Sequence, residues 1–303
     1  MPRFLVTGSS GFIGRHLSNF LEGQGHQVIR TDVVGNPDFL FDLRKADWEA
    51  VNLHSLDGVI HLGAKISVHE SFINKNEYSE VNVEATDKLF QECVNAKVPK
   101  VIFASSAAVY GFSDRGVMKV GEEFPPGSPY AENKKIGEEM AKEHSNETTR
   151  FLSFRFFNVY GPSQSHDSDY AAVIPIFISK MLSGVEITIH GDGTQTRDFI
   201  HVNDICRTIH ASLISEIPIY SVHNLGTGKA VSISDLANIL KKILIDLGLK
   251  PPEPIFSPPR EGDIKFSIAD VSELDSLIDP NSFTSLDDGL RDLVKRTLDE
   301  SNA

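Results

Sequence analysis

The sequence predicts an α/β protein built on a doubly wound parallel sheet, with a smaller α/β part toward the C-terminus. In the first half, short apolar segments rich in Val, Ile, Leu and Phe alternate with amphipathic segments, as buried strands alternate with crossover helices in a parallel sheet. After about residue 160 this alternation loosens. We therefore expect a larger domain over residues 1–160, which also receives about 201–225, and a smaller domain over residues 161–303.

The elements of the larger domain follow one another regularly. The predicted strands are RFLVTG, QVIRTD, DFLFDL, GVIHLGA, VIFASS and RFLSFRFFNVYG. The predicted helices between them are FIGRHLSNFLEGQG, SEVNVEATDKLFQECVNAK and SPYAENKKIGEEMAKEH, each with apolar residues at helical spacing.

The rest of the chain is predicted to contain helices, a strand and a proline-rich loop. AAVIPIFISKMLSG, VNDICRTIHASLI and LANILKKILIDLG are predicted helices, and EITIHGDG is a predicted strand. PPEPIFSPPREGD is predicted to be a loop, followed by a short final helix near LDDGLRDLVKRTL. The third helix places five apolar residues on one stripe that should face the core: Leu236, Ile239, Leu240, Ile243 and Leu247.

Composition and charge exclude several classes of partner. The chain has 303 residues, 40% of them hydrophobic, and a formal net charge of −13, which disfavours binding to nucleic acid or to an anionic membrane. Cys93 and Cys206 have no metal-ligand spacing and the histidines are scattered, so we predict no metal and no disulfide framework. A strand that begins at residue 3 leaves no room for a signal peptide, and no apolar run has the length of a membrane span. We expect a cytoplasmic protein.

A glycine-rich turn follows the first predicted strand. Gly8, Gly11 and Gly14 in VTGSSGFIGRHL let the backbone approach a pyrophosphate, and the N-terminus of the following helix supplies N–H groups. Such turns often only cap helices, but Asp32 ends the second strand 18 residues beyond Gly14, where a carboxylate can bind the adenosine ribose. This arrangement predicts a Rossmann-like domain that binds NAD rather than NADP, although Arg30 nearby would suit the additional phosphate of NADP.

Tyr130 and Lys134 lie four residues apart in SPYAENKK. Ser128 suits the cap of a helix and Pro129 its first turn, so the two side chains should lie one above the other at a helix start. The pair is either an ordinary solvated pair or a device for proton transfer, and its spacing alone does not decide between them.

The motifs in their order resemble those of the extended short-chain dehydrogenase/reductase family. TGSSGFIG, HLGA, FASSAAVYG, YAENK and RFFNVYGP carry the resemblance in the first half, and GDGTQTRDFIHVNDI and REGD resemble segments of UDP-hexose 4-epimerases that bind the nucleotide sugar. The resemblance implies an NAD-binding Rossmann domain over 1–160 and a nucleotide-sugar-binding domain over 161–303.

The resemblance also implies roles for individual residues. Tyr130 would be the catalytic acid/base, Lys134 its partner, and Ser106 a hydrogen-bond partner of the reacting oxygen. A nearby ammonium and the positive nicotinamide of NAD⁺ would lower the pKa of the tyrosine toward neutrality. The residues implied for binding NAD are Gly8, Gly11, Phe12, Ile13, Gly14, Asp32, Asp42, Leu43, Leu62, Ala64, Asn82, Tyr130, Lys134, Phe156 and Val159. Lys65 stands one position before the family's cofactor-contacting lysine, so we assign it no cofactor contact.

For the UDP-sugar, the resemblance points to residues in the second half as well. Asn158, Arg197 and Arg260 would bind the diphosphate and Asp263 the uridine ribose, while Ile189 and His190 would pack against uracil. Ser267 would leave room in the sugar pocket for an acetamido group. The complete set implied for the substrate is Ser106, Tyr130, Asn158, Val173, Ile189, His190, Arg197, Arg260, Asp263 and Ser267.

The expected reaction is NAD-dependent 4-epimerisation of UDP-glucose and UDP-galactose, and of their N-acetylated counterparts, through a 4-keto intermediate. Ala107 and Ala108 stand where dehydratases and decarboxylases carry acidic residues, which argues against those reactions. UDP-glucuronate 4-epimerisation stays open, as does a dinucleotide-binding regulator that has lost its chemistry. Members of the family pair the helices corresponding to SEVNVEATDKLFQECVNAK and SPYAENKKIGEEMAKEH, so we expect a homodimer.

Overall fold

The computed structural model describes residues 1–111, 116–165, 172–259 and 264–302. The strands are β1 (Arg3–Thr7), β2 (Gln27–Asp32), β3 (Phe39–Leu40), β4 (Gly58–His61), β5 (Lys100–Ser106), β6 (Arg150–Phe156), β7 (Asn158–Tyr160), β8 (Thr188–His190), β9 (Thr196–Arg197), β10 (Phe199–His201), β11 (Tyr220–Leu225), β12 (Val231–Ser232) and β13 (Ile255–Ser257). The α-helices are α1 (Phe12–Gly23), α2 (Trp48–Val51), α3 (Val68–Ile73), α4 (Lys75–Ser79), α5 (Ala85–Asn95), α6 (Pro129–His144), α7 (Val173–Leu182), α8 (Val202–Ile214), α9 (Ile233–Asp246) and α10 (Leu286–Asn302).

A seven-stranded sheet forms the centre of the molecule. Its strand order is β11-β6-β5-β4-β1-β2-β3, and every adjacent pair is parallel. The order reverses between β1 and β4, as it does in a Rossmann-like sheet. The predicted fold class is confirmed, and β11 from the second half of the chain completes the sheet beside β6.

Two apolar layers cover the sheet. α1 and α8 pack on one face, over a core that includes Phe4, Leu17 and Ile209. α5 and α6 pack on the other face, over a core that includes Phe90 and Phe151. A separate core lies among α7, α9 and α10, where short strand pairs replace a large sheet.

Several predicted boundaries are wrong in detail. The segment RFLSFRFFNVYG forms two strands rather than one: β6 stays in the central sheet and β7 pairs with β10. The proline-rich segment contains β13, which pairs with β8, and the final helix, predicted to be short near LDDGLRDLVKRTL, has 17 residues. On α9 the predicted stripe faces the core except for Leu247, which follows the helix and is 38% exposed.

The predicted long helix after residue 78 has an irregular first half. Residues Glu80–Glu84 form a π-helical turn between α4 and α5. Such turns change the direction of a side chain within a helix and occur often at functional sites. Here the turn carries Asn82, which is 2% exposed.

Candidate active site

A cleft of about 1420 Å³ opens at the carboxyl ends of β1 and β4, where the strand order reverses. It extends from the glycine turn, past Ser106 and Tyr130, to Arg197. Ligands of doubly wound sheets bind at this point because the loops diverge there to opposite faces. The cleft is lined by most of the predicted cofactor and substrate residues: Gly8, Gly11, Phe12, Ile13, Gly14, Asp32, Asp42, Leu43, Leu62, Ala64, Ser106, Tyr130, Lys134, Phe156, Asn158, Val159, Val173, His190 and Arg197.

The glycine turn lies against the backbone of neighbouring loops. Gly8 has φ +67°, and a Cβ there would lie 2.7 Å from the Gly63 nitrogen; a Cβ on Gly14 would lie 2.1 Å from the Gly8 oxygen. Gly11 caps α1 without a side-chain hydrogen bond, which leaves the first N–H groups of the helix directed at the cleft. An anionic pyrophosphate fits these N–H groups and the positive end of the helix.

Asp32 both lines the cleft and holds the glycine turn. One carboxylate oxygen accepts a hydrogen bond from the Ser10 N–H at 2.8 Å, and the other accepts from the Val33 N–H at 2.7 Å. Arg30 does not compete for this position, because its guanidinium is paired with Glu22 at 2.7 Å. Arg30, which would suit the additional phosphate of NADP, is therefore directed toward α1.

At the end of the cleft predicted to hold the adenosine, Asp42 is engaged by a neighbouring arginine. Arg44 donates three side-chain hydrogen bonds to the Asp42 carboxylate, which lowers the pKa of Asp42, and Arg44 also pairs with Glu80 at 2.9 Å. Leu43 begins the same turn and lines the cleft. The sequence analysis did not single out Arg44, although it too lines the cleft.

Tyr130 and Lys134 lie on the first turns of α6, as their spacing predicted. Ser128 caps the helix, its hydroxyl accepting from the Ala131 N–H at 3.2 Å. The Lys134 ammonium lies 5.9 Å from the centre of the Tyr130 ring and donates to the Ala104 carbonyl at 2.7 Å. Both side chains are buried, so the pair is not a solvated surface pair.

Ser106 joins this pair from β5. Its hydroxyl accepts a hydrogen bond from the Ala108 N–H at 3.2 Å, and Ser106 and Tyr130 line the same cleft. Burial raises the pKa of Tyr130, and the neighbouring Ser106 hydroxyl opposes that effect. Burial lowers the pKa of Lys134 to about 8, against the field of Glu138. The protein groups alone therefore do not lower the pKa of Tyr130 as expected. The positive nicotinamide of bound NAD⁺ would act in the lowering direction.

Asn82 holds the loop that follows β4. Its side-chain oxygen accepts from the Lys65 N–H at 2.8 Å, and its amide group donates to the Lys65 carbonyl at 2.9 Å. This loop carries Leu62 and Ala64 into the cleft. A direct contact between Asn82 and the cofactor stays a prediction.

At the end of the cleft predicted to bind the substrate, Arg197 and His190 are held by segments distant in sequence. Arg197 donates to the Ile264 carbonyl at 2.7 Å, and the His190 ring shares a hydrogen bond of 2.8 Å with the Ser257 hydroxyl. Ile189 is 1% exposed and packs in the core among α7, α9 and α10, not on the wall of the cleft. Its predicted packing against uracil is therefore not supported by the position of its side chain.

Of the predicted substrate residues, two fall outside the described parts of the chain and a third does not line the cleft. Arg260 and Asp263 fall outside the described residues. Ser267 is 6% exposed and is not among the described residues that line the cleft. Its place beside the sugar stays a prediction.

The sequence analysis missed a buried ion pair beneath α6. Glu138 and Arg155 are 5% and 4% exposed, and Arg155 stands between Phe154 and Phe156 near the end of β6. A charged residue at such a position requires a partner. The need of Arg155 for an acidic partner, together with Glu138 one helical turn after Lys134, is the sequence feature that could have predicted this ion pair.

Over the described parts of the chain, two negative findings bear on function. No group of three or more His, Cys, Asp or Glu side chains is arranged to hold a metal ion. None of the described helices combines the length and the apolar character needed to cross a membrane.

Comparison with known proteins places this site in a family. The model of the NAD dependent epimerase/dehydratase family matches residues 4–226. A putative UDP-glucose 4-epimerase of Methanocaldococcus jannaschii is 35% identical over 288 residues, which cover 90% of this chain and 91% of the relative.

Solved structures agree with the fold over the whole chain. The UDP-N-acetylglucosamine 4-epimerase of Methanobrevibacter ruminantium, in complex with UDP-N-acetylmuramic acid, is 35% identical with a TM-score of 0.89, covering 99% of each chain. MoeE5 in complex with UDP-glucuronic acid and NAD is 34% identical with a TM-score of 0.87, covering 98% of this chain and 99% of the other. The chain belongs to the NAD-dependent epimerase/dehydratase family of extended short-chain dehydrogenase/reductases, and its cofactor is NAD.

Proposed function

We propose that this protein catalyses the NAD-dependent 4-epimerisation of UDP-hexoses. The observation that carries the proposal is the buried Ser106–Tyr130–Lys134 group, which lies in one continuous cleft between the glycine turn and Arg197. A nucleotide sugar whose diphosphate meets Arg197 would extend its hexose toward Tyr130. All three residues are retained, which disfavours a regulator that has lost its chemistry.

The proposed chemistry assigns one proton to one residue. Bound NAD⁺ would supply reversible acceptance of the hydride from C4 of the sugar. Tyr130 takes the proton of the 4-hydroxyl as the 4-keto sugar forms, and Ser106 hydrogen-bonds the reacting oxygen. The flat 4-keto sugar turns about its diphosphate link and presents its other face, and Tyr130 then returns the proton.

Lys134 assists Tyr130 through its charge. With a pKa of about 8, Lys134 is mostly an ammonium at neutral pH, and a nearby positive charge favours the phenolate. Its hydrogen bond to the Ala104 carbonyl fixes it between β5 and α6. The nicotinamide ribose would be a further partner.

The cleft offers little support for dehydration or decarboxylation. Ala107 and Ala108 follow Ser106 and cannot transfer a proton. Of the acidic side chains that line the described cleft, Asp32 and Asp42 belong to the adenosine end, and Glu77 is paired with Lys65 at 2.7 Å. An acid and base for the 4-keto sugar are therefore not evident among the described residues.

For the substrate, we propose both UDP-glucose/UDP-galactose and their N-acetylated counterparts. One similar solved structure is a UDP-N-acetylglucosamine 4-epimerase, and one similar relative is a putative UDP-glucose 4-epimerase. The small side chain of Ser267 agrees with acceptance of an acetamido group, if this residue borders the sugar.

UDP-glucuronate is a second candidate substrate. MoeE5 has been solved with UDP-glucuronic acid. Lys65 is a cation in the cleft that could meet a carboxylate, but its ammonium is already paired with Glu77. That pairing favours a neutral hexose over a uronate.

We also propose that the protein is a homodimer formed through the helices that the sequence singled out, now α5 and α6. These two helices pack side by side on one face of the sheet. Light scattering at micromolar concentration should give twice the mass of one chain, and a monomeric mass would refute the proposal.

Product analysis tests the function. The purified protein, supplied with NAD, is incubated separately with UDP-glucose, UDP-GlcNAc and UDP-glucuronate, and the products are identified by NMR. Epimerised hexoses are the expected products. A 4-keto-6-deoxy sugar or a pentose would refute epimerisation in favour of dehydration or decarboxylation, and an absence of turnover with every sugar would favour the regulator.

A further inference from the structure

A cluster of buried charges lies between α6 and the sheet, one helical turn beyond Lys134. The Glu138 carboxylate accepts hydrogen bonds from Arg155 on β6, at 2.9 Å from Nε and 2.7 Å from Nη2. It also accepts a hydrogen bond from the Ser105 hydroxyl on β5. A buried ion pair is often no more stabilising than apolar residues of the same volume. The cluster therefore invites an explanation other than stability.

The cluster connects the helix of the catalytic pair to several strands. The Tyr220 hydroxyl on β11 donates to the Glu138 carbonyl at 2.9 Å. Arg155 also pairs with Glu123, and its guanidinium lies 4.8 Å from the centre of the Tyr110 ring. Helix α6 is thus attached to β5, β6 and β11 at the turn that follows Lys134.

The charges of the region sum to zero. Lys134 and Arg155 are positive, and Glu138 and Glu123 are negative. Glu138 is the acidic residue whose field acts on Lys134, in the direction opposite to burial. Among the other titratable groups near α6, His61 is neutral with a pKa of about 3, burial raises the pKa of Tyr78, Tyr110, Tyr130 and Tyr220, Lys65 pairs with Glu77, and Asp87 pairs with His144. Glu84, Lys88 and Glu92, which precede or lie on α5, are exposed or half-buried.

We propose that Glu138 is a positioning residue: held by Arg155 and Ser105, it sets the place of α6 on the sheet and keeps Lys134 an ammonium beside Tyr130. The inference rests on the proposed function, because that function gives Tyr130 and Lys134 their roles. Small displacements of catalytic groups cost large factors in rate, which explains why a helix carrying two such groups is held by a charged clamp.

Two variants separate this role from simple packing. Glu138→Gln removes the charge and keeps the shape. Glu123→Gln is the matched control, because it removes the same charge from the same arginine. Glu123 is more exposed, with 16% against 7% for the side chain of Glu138, and it lies outside α6, the helix that carries Lys134.

The readout is the ionisation of Lys134, followed by NMR on protein containing isotope-labelled lysine and assigned with Lys134→Arg. In Glu138→Gln the pKa of Lys134 should fall by about one unit or more, whereas in Glu123→Gln it should stay within a few tenths of wild type. Equal pKa values in wild type and Glu138→Gln, or equal shifts in both variants, would overturn the proposal. If Glu138→Gln does not fold, Glu138→Asp should give a smaller fall, and an unchanged pKa there would overturn it as well.

Kinetics then separate this inference from the proposed function. If the protein is a 4-epimerase, the alkaline limb of kcat should move to lower pH in Glu138→Gln by the same amount as the pKa of Lys134, and kcat should fall about tenfold. A shift by NMR in a protein whose wild type epimerises no UDP-sugar would refute the function and leave the electrostatic role of Glu138 standing. If wild type epimerises UDP-sugars but the pKa of Lys134 does not change in Glu138→Gln, the proposed function stands and the electrostatic role of Glu138 is refuted.

Discussion

The packing of the glycine turn against the start of α1 allows a graded prediction for three glycine-to-alanine substitutions. A Cβ on Gly14 would lie 2.1 Å from the Gly8 oxygen, and a Cβ on Gly11 would lie 3.1 Å from the same oxygen. Around Gly23, the last residue of α1, there is no heavy atom within 4 Å of the added carbon. The same chemical change should therefore have three different results.

The magnitudes follow from these distances. To reach ordinary contact, Gly14→Ala requires roughly 1 Å of backbone movement, which costs about 1–3 kcal/mol of stability. The same movement withdraws backbone N–H groups from the pyrophosphate, and losing one charge-assisted hydrogen bond weakens NAD binding about tenfold to a hundredfold. Gly11→Ala needs a few tenths of an ångström and should cost less. Gly23→Ala should raise stability by up to about 1 kcal/mol through helix propensity.

Thermal unfolding and calorimetric titration with NAD measure both effects. From highest to lowest, the expected order of Tm is Gly23→Ala, wild type, Gly11→Ala and Gly14→Ala. Each kcal/mol of lost stability should lower Tm by roughly 2 °C. NAD affinity should be unchanged in Gly23→Ala and lowest in Gly14→Ala. Wild-type affinity and Tm in Gly14→Ala would refute the close approach of the turn and the helix.

Three further predictions concern the site and its support. Tyr130→Phe keeps the ring and removes the proton carrier, so it should bind NAD normally and lose nearly all turnover; near wild-type epimerisation would contradict the catalytic assignment. His61 is buried between Thr7 and Thr86, and burial lowers its pKa from 6.5 to about 3. The neutral ring therefore stabilises the fold fully above pH 6.5. This stabilisation falls by about 1.4 kcal/mol for each pH unit between 6.5 and about 3. In urea titrations between pH 6.5 and about 3, the unfolding free energy of His61→Asn should fall less steeply with decreasing pH than that of wild type. An equal slope in the two proteins would exclude His61 as the cause of the acid loss. Wild type should interconvert UDP-glucose with UDP-galactose and also UDP-GlcNAc with UDP-GalNAc, whereas Ser267→Tyr should act only on UDP-glucose and UDP-galactose. No reaction of wild type with millimolar UDP-GlcNAc would refute a sugar pocket that has room for an acetamido group.

Features set by residues close together in the chain could be predicted from the sequence. The turn formed by Gly8, Gly11 and Gly14, and the placement of Tyr130 above Lys134, depend on spacings of three and four residues. Backbone geometry converts such spacings directly into neighbours. The alternation of apolar and amphipathic segments predicted the parallel sheet for the same reason.

Pairings between residues of different elements were decided by the tertiary structure alone. Whether Arg30 faces the cofactor or Glu22, and whether Arg155 meets Glu138, depends on how β2, β6 and α6 pack, and no local spacing encodes that. The division of one apolar run into β6 and β7 likewise depends on β10, which lies some forty residues later and offers β7 a second partner. By itself the sequence determined the fold class, the family motifs and the local pairs, because those follow from short-range geometry. The structure decided which charges are clamped beneath Lys134 and which residues line the cleft, because those depend on how separate elements pack against one another.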